Sequence, residues 1–439
     1  MARPLEKSDL KRYRDMLQDD SQFRLAMNAV CNVPASKIAQ NRNRVGLVDQ
    51  TFSIQLQENK ATAQNNSGRC WLFAALNVMR YEAMRNMNLD DGFELSQNYL
   101  LFWDKLEKAN YFLQSISDTL SEENGSRLID FLLTQPLQDG GQWHMFVNLV
   151  KKYGLAPKSV MPETESSSNT GTMTFQMTSL LRAAACQMRE SPSDVDRIRL
   201  QTLQQCHRML CIHLGEPPVE FEWQWRDRDK QFHRTGRVTP LEFAERHVPF
   251  DLDDYVCLIH DPRPQHAFDK SYTVKFLGNV VGGEIVRYLN VDLIVMKSAA
   301  IQQLRAGEAV WFGCDVGKYL DRDLGVMDDK MFDYSALYGP TYDFPKADRL
   351  TYGHSQMTHA MVFTGVDLDE HDHPRKWRVE NSWSDKAGDK GFFLMTDSWF
   401  DEYMYEVAVR RAYVPARSLA ALEEDPVALD PWDPMGSLA

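Results

Sequence analysis

A cysteine at the start of a helix, with a glutamine six residues ahead of it, stands in Gln64-Asn65-Asn66-Ser67-Gly68-Arg69-Cys70-Trp71. The run from Trp71, WLFAALNVMRYEAMR, has no Gly or Pro and sets Leu72, Ala75, Leu76 and Met79 on one face, which predicts Cys70 at a helix N-terminus. Unpaired N–H groups and the positive end of the helix dipole favour an anion there and predict a thiol drawn toward the thiolate. Cysteine is also commonly a small buried hydrophobe, and Cys70 alone does not separate a nucleophile from a structural residue.

The partners of such a nucleophile lie far downstream. His359 heads the apolar run Ala360-Met361-Val362-Phe363, and Asn381 follows it by 22 residues in Glu380-Asn381-Ser382-Trp383. Cys, His and Asn in this order suit a thiol peptidase: the imidazole takes the thiol proton, later gives it to the leaving amine, and is held in one tautomer by a third group. Asn381 can accept the imidazole N–H without adding a charge, and Trp383 can shield that bond from water. The side-chain amide of Gln64 and the backbone N–H of Cys70 are two donors able to converge on the oxyanion of a tetrahedral intermediate. Singly, His359 also fits a core histidine, Asn381 a turn residue and Gln64 a surface amide. Their joint occurrence in order favours the catalytic reading.

At these residues the chain resembles the papain clan of cysteine peptidases. Ser67-Gly68-Arg69-Cys70-Trp71 takes the place of C-G-[SA]-C-[WY], with serine where a disulfide cysteine would stand. From Cys70 to His359 is 289 residues, against about 130–150 in papain-like enzymes, so well over a hundred residues are inserted. The segments Ser67 to Ala74, Asp139-Gly140-Gly141-Gln142-Trp143, Val310 to Lys318 and Thr358 to Val362 are similar to the bleomycin hydrolase and aminopeptidase C family, and the resemblance runs essentially end to end.

The resemblance implies an α+β papain-like fold, a helical lobe and a β-barrel-like lobe, with a large, mainly helical insertion at about 160–250 and an N-terminal helical extension over 1–45. It implies that Gly140 and Gly141 bind the substrate backbone, in keeping with the close approach that paired glycines allow. It also implies that residues 424–439 form an arm in the cleft, where the carboxylate of Ala439 meets the substrate's amino group and turns an endopeptidase scaffold into an aminopeptidase. From the residues alone, an arm with Pro426, Pro431 and Pro434 cannot be helical, and its apolar Trp432, Met435 and Leu438 are poor candidates for free solvation. A homohexamer is a further implication. The expected substrates are peptides with a free N-terminus and aminoacyl amides, including bleomycin-like carboxamides. An endopeptidase with its arm outside the cleft and a non-catalytic peptide- or nucleic-acid-binding assembly are the alternatives. His144 stands where the family usually has Asp and Ser384 where it has Gly, which leaves subsite preference open.

Composition sets outer limits. A chain of 439 residues, 43% of them hydrophobic, can bury a large core. The charged N-terminal stretch and the lack of any run of about 18 apolar residues predict neither a signal peptide nor a membrane span. Seven cysteines at irregular spacings do not make a disulfide framework, which fits a cytoplasmic enzyme. A net charge of −13 argues against a general nucleic-acid surface, and Arg226-Asp227-Arg228-Asp229-Lys230 alternates in sign like a solvated face. No metal or organic cofactor is implied, although a reductant is expected to keep Cys70 a thiol.

The elements that must carry these residues are legible in part. Ser8 is expected to cap a first helix, and Phe52, Ile54 and Leu56 to form a short strand before the active-site loop. Ser96 is expected to cap a long helix, and Gln142 to Tyr153 to form another ended by Gly154. Pro162 to Thr172 reads as a surface loop, 174 to 215 as helical, and Thr239-Pro240 as a helix start, so the central part is expected to be mainly α. Strands are expected at Tyr255 to Ile259, Ala309 to Phe312, Met361 to Val366 and Phe392 to Met395. Two metal-like clusters are set aside. Cys206-His207 with Cys211 and His213 places its sulfurs on diverging helix faces, and His371-Asp372-His373 reads as a hairpin tip.

Overall fold

The structure is a computed structural model that describes residues 3–57, 59–340 and 344–439. Its axis is the helix Cys70–Met87, in which every residue from Cys70 to Arg80 is buried. A one-faced helix would leave half of these exposed. This one is covered on both sides, by the strand His359–Leu368 on one and by the helices Gln97–Asp118 and Trp143–Tyr153 on the other, so its sequence is apolar nearly all round. Asn88, left-handed at φ 51°, ends it. Ser96 Oγ accepts the Tyr99 N–H at 3.0 Å and starts the next helix, and Gly154 at φ 73° closes Trp143–Tyr153.

Twelve of the described strands form one sheet. Its middle runs Tyr255–Ile259, Met404–Arg410, Val310–Cys314, His359–Leu368, Pro374–Glu380 and Phe392–Thr396, each antiparallel to the next. The register pairs His359 with Cys314 and Val362 with Glu380. Trp71, Trp143 and Trp311 join the lobes: Trp311 Nε1 donates to the Trp71 carbonyl at 3.2 Å, and its ring lies 6.0 Å from that of Trp143. No helix among the described residues is long and apolar enough to cross a membrane.

The structure departs from the sequence reading at three elements. The first helix, Lys7–Leu17, is capped by Glu6, whose N–H donates to Asp9 Oδ2 at 3.2 Å; Ser8 lies inside its first turn. The central segment contains helices Gly171–Glu190, Val195–Leu214 and Pro240–His247, but also the hairpin Phe221–Arg226 and Phe232–Val238, whose exposed turn is the Arg226 to Lys230 charge cluster. Pro162 to Thr172 is not a free surface loop, because Ser167 and Thr170 are buried and the short helix Glu165–Ser168 interrupts it. His371 and His373 sit at the tip between two strands, as their acidic turn implied.

Candidate active site

Sheet and helix bring together residues hundreds of positions apart. Cys70, His359, Gln64, Gly68, Gly140 and Ala439 line one cleft of about 640 Å³. His359 Nε2 lies 3.0 Å from Asn381 Oδ1, and the Ser382 N–H donates to that same oxygen at 2.8 Å. A backbone N–H can only donate, so the shared atom is an oxygen and His359 carries its proton on Nε2. Nδ1 is then the free acceptor of the ring. The Trp383 ring lies 4.9 Å from the imidazole, and the Arg322 guanidinium sits 4.4 Å over Trp383, covering the His359–Asn381 bond from the solvent side.

Gln64 is fixed at both ends. Its Oε1 accepts the Ser382 hydroxyl at 2.6 Å, and its Nε2 donates to the Ser67 carbonyl at 2.6 Å, which leaves one amide N–H over. Ser382 thus holds Gln64 with its hydroxyl and Asn381 with its N–H. Sequence reasoning gave it no role; its place between Asn381 and Trp383 was the available signal. Ser67, in the position of the absent disulfide cysteine, bridges the Gln64 carbonyl and Arg69 Nε.

The thiol differs from the sequence expectation. Burial pushes Cys70 up to about 11, outweighing the N–H groups of Ala360, Trp71 and Cys70 that favour the thiolate. Burial also lowers His359 to about 4, against the hydrogen bond to Asn381 that raises it. The backbone N–H groups at the helix start favour the thiolate as expected, but removal of water costs the anion more. Burial therefore favours the uncharged form of each group.

Asp139 organises the far wall. Its carboxylate accepts Gly68 N–H at 3.0 Å and also meets Lys105 and the Thr170 hydroxyl. Burial would raise this carboxyl, but Lys105 and these hydrogen bonds hold it well below the usual range. Lys108 Nζ donates to the Gly140 carbonyl at 2.7 Å, so two buried lysines of one helix hold the Gly-Gly segment. A Cβ on Gly141 would come within 2.5 Å of the Trp71 ring, and one on Gly140 within 2.7 Å of an Ala439 oxygen. The close approach that the two glycines allow is filled here by the chain's own end: Gly141 N–H donates to Ala439 O at 3.2 Å.

Two sequence departures fall differently. Ser384 is left-handed at φ 64°, a conformation glycine adopts at no steric cost. The His144 side chain turns away from the cleft toward Cys257, 3.5 Å from its sulfur, and burial lowers it to about 4. The cluster around Cys206 stays apart from the site, with Cys206 buried and Cys211 beside His207 at 3.7 Å.

A buried thiol at a helix start, facing an imidazole–amide pair carried on a sheet, defines a papain-like cysteine peptidase. A model of the Peptidase C1-like family matches residues 4–436, and the chain belongs to that family. It is 45% identical over 418 residues to an aminopeptidase C of Streptococcus thermophilus, covering 94% of each chain. With human bleomycin hydrolase it shares 42% identity over 438 residues, 96% of each. The crystal structure of PepW from Lactobacillus rhamnosis superposes with a TM-score of 0.97 at 42% identity, covering 100% of both chains.

Proposed function

We propose that this chain is a cytoplasmic cysteine aminopeptidase that removes N-terminal residues from peptides and aminoacyl amides, bleomycin-like carboxamides among them. Cys70 Sγ gives its proton to His359 Nδ1 as it attacks the carbonyl carbon. The oxyanion is received by the remaining Gln64 amide N–H and the Cys70 N–H. His359 then protonates the leaving amine, and water repeats the cycle on the acyl-enzyme. Asn381 keeps the imidazole in the Nε2–H tautomer throughout.

The observation that carries the exopeptidase reading is the position of Ala439. Its carboxylate is buried in the cleft that Cys70 and His359 line, and no cationic side chain pairs with it among the described residues. A substrate α-ammonium is the ion that would complete it, and a chain extending past that ammonium would collide with the arm. The names of the relatives, aminopeptidase C and bleomycin hydrolase, support the same activity. Residues 424–439 therefore act as the selectivity arm, the N-terminal 1–45 as an extension and about 160–250 as the insertion. We place the functional unit as a homohexamer, to be checked as a six-fold mass in solution.

The test is hydrolysis, under reducing conditions, of a fluorogenic aminoacyl amide beside its N-acetylated twin. Cleavage of the free form alone is expected. Equal cleavage of both would establish an endopeptidase, and cleavage of neither a binding assembly.

A further inference from the structure

The arm is held at several places before it reaches the cleft. Val427–Leu429 adds a parallel strand to Lys270–Val274 at the sheet edge. Trp432 lies under the Arg127 guanidinium at 3.8 Å, and Gln142 Nε2 donates to the Ser437 carbonyl at 2.6 Å. Between these, Asp433 Oδ1 accepts Arg263 Nη2 at 2.7 Å and also the Met435 N–H at 2.9 Å, which caps the turn Pro434–Gly436. That turn aims the last three residues at the active site.

The base under Asp433 is built and buried. Arg263 is forked onto Asp261, with Nη2–Oδ2 at 2.6 Å and Nε–Oδ1 at 3.0 Å, and His266 Nδ1 lies 2.9 Å from Asp261 Oδ2. Arg263, Asp261 and His266 are each about 5% exposed. Asn290 locks this loop by accepting the Asp261 N–H and donating to its carbonyl. Asp261, His266 and Asp433 are close enough to suggest a cation site, but Arg263 Nη2 already donates to both carboxylates, and His266 Nδ1, beside Asp261 Oδ2, must carry its proton there, so the cation is the protein's own.

We propose that the Arg263–Asp433 ion pair is the latch that fixes how far the arm enters the cleft, with Asp433 the positioning residue that keeps the enzyme an exopeptidase. The inference rests on the reading of Ala439 as the acceptor of the substrate's amino terminus. The Lys275–Asp430 pair at 3.5 Å and the Ser437–Gln356 contact are long and exposed, and the remaining arm contacts are apolar, aromatic or to backbone, so they tolerate sliding, whereas a bond to Asp433 from a buried guanidinium that is itself forked onto Asp261 fixes one register. A shift of 1 Å at Asp433 is passed to Ala439 through a capped turn.

The experiment compares the full-length wild type with Asp433→Asn on the free and N-acetylated amides. The substitution keeps the shape and removes the charge. The kcat/KM ratio of acetylated to free substrate is expected to rise at least about tenfold, with KM for the free substrate raised more than kcat is lowered. Carboxypeptidase is expected to trim the variant's arm faster. An unchanged ratio in the folded variant, including an equal loss on both substrates, overturns the latch. Should Asp433→Asn fail to fold, Arg263→Lys, which keeps the cation and loses the fork, must move the ratio in the same direction or the proposal falls. Wild type that cleaves both substrates equally would instead remove the aminopeptidase reading itself.

Discussion

In the proposed mechanism Asn381 acts on the reaction only through His359, and its contribution has a sign that can be checked. By accepting the Nε2–H it favours the imidazolium and raises His359 against the burial that lowers it to about 4. Activity in the wild type is expected to fall as pH drops through that value, because a protonated ring cannot take the thiol proton. Asn381→Ala removes the group that raises His359, so the acid limb should move to lower pH while the plateau of kcat/KM falls roughly 10–100-fold, the worth of one charge-assisted hydrogen bond. A pH–rate profile decides; an acid limb displaced upward would mean that Asn381 does not hold the proton on Nε2. At this scale the sequence was informative about residue types and silent about solvation. Order and spacing singled out Gln64, Cys70, His359 and Asn381, which the fold brings together, yet the rise of Cys70 depends on burial that no local pattern contains. The double use of Ser382 was equally hidden, because a serine between two functional residues has many bland explanations.

Regular elements with local signals were readable: the Ser96 and Thr239 caps, the Gly154 stop and the central strands all follow from short-range rules. The segment 162–172 was not, because its role comes from a partner 94 residues away. Arg69, fully buried at the start of the catalytic helix, is forked onto Glu163 at 3.0 and 2.7 Å. This pair and the Thr170–Asp139 contact turn a polar loop into a strap across the active-site wall. Removing Glu163 would strand a buried guanidinium, so Glu163→Ala is expected to cost roughly 3 kcal/mol, the lower end for a broken buried pair since Glu163 is partly exposed. Urea unfolding measures it, and a loss below about 0.5 kcal/mol would reduce the strap to an ordinary surface pair. The hairpin Phe221–Val238 was missed for a related reason. Its Trp223 stacks on Trp225 and meets Phe93 at a tilt and Phe243 edge-on from other elements, contacts that stabilise strands an otherwise polar, charged sequence does not announce.

Joining two lobes along one buried helix places charged groups where water cannot reach them, and the whole molecule carries the consequence as a dependence of stability on pH. Arg80 and Glu380 meet at 2.7 Å across the seam and offset each other. Glu406, on the strand Met404–Arg410, makes no ion pair among the described residues; burial raises it to about 8, against the Cys257 thiol beside it, which lowers it. An acid raised in the folded state binds its proton more tightly there than in the unfolded chain. Its share of stability is therefore complete below the ordinary glutamate range and is lost progressively as pH climbs toward about 8. Buried Lys346, lowered by burial to about 7, works in the opposite direction from neutral pH upward, so the wild-type curve alone would not isolate either group. The difference between wild type and Glu406→Gln does, because Lys346 is common to both. The variant should match the wild type near pH 5 and exceed it by a few kcal/mol near pH 8, at about 1.4 kcal/mol for each pH step over which the unfolded chain alone has released the proton. Parallel urea midpoints at the two pH values would show that Glu406 is ionised in the fold and hydrated after all. The expected divergence would mean that the sheet beneath the cleft holds a neutral carboxylic acid at the pH where the enzyme works.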